Sequence, residues 1–80
     1  MSNLKEFRLK SNLTQLELSE KSGVSPRMIQ YYEQGVKDIN KAQGLTLQAL
    51  AQVLGCTMED LLELNKYKKE VGEVVQKVRG

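Results

Sequence analysis

Residues 23–35 read GVSPRMIQYYEQG, and the reading of this stretch decides the fold. Ser25 followed by Pro26 is a helix start. A serine at the N-cap accepts a hydrogen bond from a backbone N–H two or three residues on, and proline at the first helical position lacks only an N–H that has no intrahelical partner. Gly35 supplies the stop, since glycine reaches the left-handed conformation at no steric cost. On the helix between them, Arg27, Gln30 and Tyr31 fall at i, i+3 and i+4 along one flank. Ile29 and Tyr32 are left to face the other way. Such a small helix has little reason to gather these three side chains on one flank unless the flank meets something. The alternative is a face that is merely solvated.

Working upstream, Leu4, Phe7 and Arg8 share one face of a first helix, roughly residues 2–11, and Asn12 and Leu13 turn the chain. Thr14 with Glu17 three residues on is a capping box, so a second helix runs from there to about Ser22, with Leu18 and Ser19 inward and Gly23 closing it. A helix, three or four linking residues, then a helix of similar length is helix-turn-helix spacing.

Downstream, residues 36–45, VKDINKAQGL, read as a long connector. A fourth helix, about Thr46 to Leu54, places Leu47, Leu50, Ala51 and Leu54 at i, i+3, i+4 and i+7. Thr57 caps a fifth, with Glu59 and Asp60 in its first turn, where carboxylates complement the helix dipole. Met58, Leu61 and Leu62 are its expected apolar face. In the tail, Leu64, Tyr67, Val71, Val74 and Val78 are spaced 3, 4, 3, 4, the seam of a heptad repeat. Gly72 and the β-branched valines weaken that helix, so EVVQKV reads as a helix or a short strand. The fold class is therefore all-α, a compact bundle of five helices with an added C-terminal helix or short strand.

Eighty residues make one domain with room for a short appendage, and no core large enough for a deep substrate cavity. A chain of this size buries only roughly 60% of its unfolded surface, so association is an expected route to stability. At 40% hydrophobic and 28% charged the composition is that of an ordinary globular protein. No apolar run approaches the roughly 20 residues that span a bilayer, and the amino terminus does not resemble a signal peptide. Cys56 is the single cysteine, which excludes an internal disulfide and fits a reducing compartment. Together these readings lead us to expect a cytoplasmic protein with no membrane partner. The net charge is +2, and residues 1–55 hold seven Lys/Arg against five Asp/Glu. That excess permits a polyanionic ligand without demanding one. There is no histidine, no Gly-rich phosphate loop and no nucleophile paired with a base, so neither catalytic residues nor a cofactor is expected. Glu59, Asp60 and Glu63 read as a helix start and a polar face, not a metal site.

The segment LKEFRLKSNLTQLELSEKSGVSPRMIQYYEQG and its continuation LTLQALAQVLGCTMEDLLEL resemble the Cro/lambda-repressor (Xre) type of helix-turn-helix over roughly residues 3–64. The motif is specific as a set: Thr14-Gln15, Leu18-Ser19, Gly23-Val24-Ser25, Ile29, Glu33 and Gly35. The resemblance implies a five-helix, lambda-repressor-like domain at residues 1–64 and a C-terminal extension at 65–80. It also implies a DNA-binding transcriptional regulator, often a homodimeric repressor on a palindromic operator. Three features depart from the pattern. The connector is about three residues longer than usual, Ser19 replaces an alanine, and Pro26 stands where many relatives place a base-reading side chain.

Carried over residue by residue, the resemblance assigns base contacts to Ser25, Arg27, Gln30 and Tyr31. The chemistry suits them: arginine binds guanine O6 and N7 bidentately, glutamine pairs with adenine, and a tyrosine ring meets a thymine methyl. Phosphate contacts are expected from Thr14 and Gln15 at the start of the second helix, then from Gln34, Lys37 and Lys41. Arg8 and Glu33 take the positions of a structural ion pair. Leu64, Tyr67, Val71, Val74 and Val78 become the dimer or partner contact. Double-stranded DNA is the expected ligand. An antitoxin using its tail to bind a toxin, or a protein-interaction module on the same fold, is the alternative.

Overall fold

The computed structural model describes residues 2–63. They form helices α1 (Asn3–Lys10), α2 (Gln15–Ser22), α3 (Pro26–Gln34), α4 (Gly44–Leu54) and α5 (Met58–Leu61), with a 3-10 turn at Ile39–Lys41 and no strand among the described residues. The all-α class is as expected. The heptad seam of Leu64, Tyr67, Val71, Val74 and Val78, and the division at residue 64, lie outside the described residues.

Helix starts follow local side-chain chemistry. Ser2 Oγ accepts from the Lys5 N–H at 3.2 Å, which places the start of α1 one residue later than the sequence suggested. Thr14 and Glu17 bond reciprocally at 3.0 and 2.9 Å, Ser25 Oγ accepts from the Met28 N–H at 3.1 Å, and Thr57 pairs with Asp60 at 3.1 and 3.0 Å. Each satisfies N–H groups that the first helical turn leaves without partners. Helix α4 is the exception. It opens at Gly44, not Thr46, with no side-chain cap, and its first turn closes on the Gln43 carbonyl through the Leu47 N–H at 3.1 Å.

Between α1 and α2, Asn12 takes φ 57°, a left-handed conformation that asparagine tolerates better than most residues. At Gly35 the same conformation, φ 79°, ends α3. A β-carbon there would meet nothing within 4 Å, so the glycine is required by the backbone dihedral alone.

Every helix gives the core one side chain with no exposure: Leu4, Leu18, Ile29, Leu50 and Leu61 in chain order. Burying each contributes about 1.5–3 kcal/mol. Tyr32, Ile39, Leu47, Ala51 and Leu54 complete the cluster. α2 packs on α3 and α4, α4 on α5, and α1 on α3 and α5. Met58, expected on the apolar face of α5, is instead 36% exposed. It opens the helix, and helical side chains lean toward the N-terminus, so it projects past the packed turn while Leu61 fills the core and Leu62 packs against it. Cys56 is half-buried against the same core.

The connector is more ordered in form than its sequence suggested. Asp38 Oδ1 accepts from the Asn40 N–H at 3.0 Å, and Ile39 is 3% exposed. Asn40 then grips the backbone of Glu63 on both sides, accepting from its N–H at 2.8 Å and donating to its carbonyl at 3.3 Å. Asn3 completes the clamp by donating its N–H to Glu63 Oε1 at 3.0 Å and its amide to the Leu62 carbonyl at 2.8 Å.

Candidate nucleic-acid interface

Helix α3 has two unlike faces. Ile29 and Tyr32 are buried, and Met28 packs at the edge of the core. On the opposite side Arg27, Gln30 and Gln34 are exposed and Tyr31 is half-exposed, at helical spacing i, i+3, i+7 and i+4. Ser25 and Pro26 at the start are exposed too. The Ser25 oxygen is used by the cap, which leaves its hydroxyl hydrogen as a donor. Pro26 offers no N–H.

The helix is held at its far end by a buried polar network. Glu33 Oε2 accepts from Arg8 Nε at 2.7 Å and Glu33 Oε1 from Arg8 Nη2 at 3.0 Å. This bidentate pair has side chains only 9% and 3% exposed. Bonding to Glu33 raises the Arg8 pKa above its ordinary value, and burial opposes the rise without cancelling it. Arg8 Nη1 donates to the Leu13 carbonyl at 2.8 Å, and Gln15 Nε2 donates to Glu33 Oε1 at 3.1 Å. So α1 ties the start of α2 to the end of α3. The family resemblance implied the ion pair; it placed Gln15 on a phosphate and did not imply that Gln15 also joins Glu33.

The start of α2 presents Thr14, exposed, and Gln15, half-exposed. Thr14 Oγ1 is occupied by the capping box, and Glu17 spends its carboxylate on the Thr14 N–H. That bond first, then the Thr14 side chain, holds the Glu17 carboxyl below its usual range, with a smaller pull from Lys21. The capping box takes the Thr14 and Glu17 N–H groups, and helix geometry leaves those of Gln15 and Leu16 without intrahelical partners. At the end of α3 the chain leaves with the Lys37 N–H on the Tyr31 carbonyl at 3.2 Å. Lys37 and Lys41, both exposed, line one shallow hollow beside Tyr32. Lys10 Nζ lies over the Phe7 ring, 5.4 Å from its centroid.

Two short helices joined through Gly23, Val24 and Ser25, the second with a free polar face, form a helix-turn-helix. The sequence model of a family described as Helix-turn-helix matches residues 4–61. The chain belongs to the helix-turn-helix family. This is a DNA-binding family of the Cro/lambda-repressor (Xre) type, and the match takes in every described helix from Leu4 onward. Neither the curated proteins nor the solved structures give a match. Among the described residues, no helix of this helix-turn-helix protein is long and apolar enough to cross a membrane.

Proposed function

We propose that this helix-turn-helix protein is a sequence-specific transcriptional regulator that binds double-stranded DNA as a homodimer on a palindromic operator. The observation that carries the reading is the division of α3, with Ile29, Tyr32 and Glu33 locked inward while Arg27, Gln30 and Tyr31 stand free on the other flank. α3 lies in the major groove with Arg27 on a guanine edge, and Gln30 and Tyr31 read neighbouring positions. Ser25 adds a hydroxyl donor. Thr14 and Gln15 hold one phosphate, and Gln34, Lys37 and Lys41 follow the backbone beyond the groove. Two copies set their half-sites one helical turn apart, about 34 Å. Occupancy of the operator, in the cytoplasm, is the regulatory act, and no catalysis is part of it.

Selecting bound duplexes from a random pool at two salt concentrations tests the reading. A recovered palindrome with half-sites spaced by about one turn supports it; a pool that stays random at both salts refutes sequence-specific binding. Dimerisation is supported by the heptad seam of the tail and by Leu45, 78% exposed at the start of α4. Sedimentation of the chain cut after Leu64 checks the first of these, with an unchanged association state removing the tail from the interface.

A further inference from the structure

Glu33 does more than pair with Arg8. Its Oε1 also receives Gln15 Nε2 at 3.1 Å, beside Arg8 Nη2 at 3.0 Å. An ionised carboxylate only accepts hydrogen bonds, so chemistry fixes the Gln15 amide with its nitrogen toward Glu33. A primary amide nitrogen carries two hydrogens. One is held by Glu33, and the other is left for an acceptor outside the protein, on a residue that is half-exposed at the first position of α2. Arg8 Nη1 meanwhile fixes the Leu13 carbonyl, 2.8 Å away, in the segment that leads into that helix.

We propose that Glu33 is a positioning residue for DNA-backbone binding, gripping one amide hydrogen of Gln15 and aiming the other at a phosphate oxygen. The proposal rests on the reading of Gln15 as a phosphate contact. The rotamer freedom of the glutamine is then lost on folding, not on binding, which favours association without adding a contact. The same carboxylate anchors α3, so the phosphate grip at α2 and the reading face of α3 are placed by one group.

Titration of wild type, Gln15→Ala, Glu33→Met and the double variant with a random-sequence DNA duplex about two helical turns long tests this. Thermal melts confirm that each variant is folded at the assay temperature. On charge alone, Glu33→Met, which keeps no oxygen to accept from Gln15, removes a negative group and should tighten binding to a polyanion. The positioning role demands the opposite, roughly three- to tenfold weaker binding, as for one hydrogen bond of ordinary net strength. Gln15→Ala should lose a similar factor with an unchanged salt dependence, because a neutral side chain releases no counterion. Adding Glu33→Met to Gln15→Ala should cost clearly less than it does in wild type, the remainder being the carboxylate's hold on α3.

Glu33→Met binding as tightly as wild type, or losing the same factor with and without Gln15, would overturn the positioning role. Wild type that binds while Gln15→Ala is unaffected also overturns it and leaves the DNA reading standing. No salt-dependent affinity in wild type overturns both. A readout on the unmutated protein is independent of variant folding. In proton–nitrogen spectra, one side-chain amide proton of Gln15 should move on adding the duplex while its Glu33-bonded partner stays, and equal movement of both counts against the proposal.

Discussion

Replacing Arg8 by methionine should destabilise the protein far more than loss of a surface ion pair. The substitution keeps the aliphatic stem and removes three donors: Nε and Nη2 from Glu33, and Nη1 from the Leu13 carbonyl. It leaves the Glu33 carboxylate 3% exposed with the neutral Gln15 amide as its remaining partner in the network. Stranding one charge of a buried pair costs about 3–5 kcal/mol. A chain of this length has about 4–12 kcal/mol of stability in all, so much of it should go. For a domain of this size each 1 kcal/mol lowers the melting temperature by about 4–8 °C, so the expected fall exceeds about 12 °C.

Urea unfolding followed by circular dichroism gives the free energy. The companion variant decides the interpretation. Arg8→Met with Glu33→Met replaces both charges by apolar groups of similar length and should recover most of the loss, since such replacements are often neutral or stabilising by about 1–4 kcal/mol. Two results would refute the reasoning. A loss under about 1 kcal/mol for the single variant would mean the pair behaves as a solvated one. A double variant as unstable as the single would mean that packing of the arginine stem, not the stranded carboxylate, accounts for the effect. The double variant, if stable, should still bind DNA poorly when Glu33 positions Gln15, which separates stability from recognition in one molecule.

Arg27→Ala should weaken operator binding by about 1–3 kcal/mol and relax specificity at one base position, whereas an equal loss on all sequences would reassign Arg27 to phosphate. Asn40→Ala breaks both bonds to the Glu63 backbone and should cost about 1–3 kcal/mol in urea unfolding, with faster amide exchange at Glu63; unchanged exchange there would disprove the clamp. The folded Glu17 carboxyl is held low by Thr14, so its capping contribution is complete above the ordinary carboxylate range and is lost as pH falls through the folded value. Amide protection in α2, taken relative to the intrinsic exchange rate at each pH, should therefore fall on acidification in wild type and change less in Glu17→Gln. Burial, then the Asp60 carboxylate, pushes the Cys56 thiol above its ordinary value. It should react with a thiol reagent more slowly than the urea-unfolded chain at the same pH, and equal rates would contradict its half-buried placement.

What could be read from the sequence was what neighbours in the chain decide. Ser25-Pro26, Thr14 with Glu17, and Thr57 each announce a helix because cap and capped N–H lie within three residues. Helix α4 starts two residues before Thr46, and since no side chain caps it nothing local marks Gly44. The Asn40 clamp on Glu63 spans 23 residues and the Gln15 bond to Glu33 spans 18. Such pairs exist only after the bundle has assembled. The reading face of α3 is a different case. Its residues were visible at once as an unexplained polar flank, because Arg27, Gln30 and Tyr31 are not needed by the core that Ile29 and Tyr32 serve. Since Arg8, Gln15 and Glu33 hold α3 from the inner side, exchanges at Arg27 or Gln30 leave that network intact and should change stability by no more than about 0.5 kcal/mol. The fold can thus keep one placement of the helix while the read sequence changes. On the proposed function, the fold then specifies where this protein meets a base pair and leaves the choice of base to a few exposed side chains.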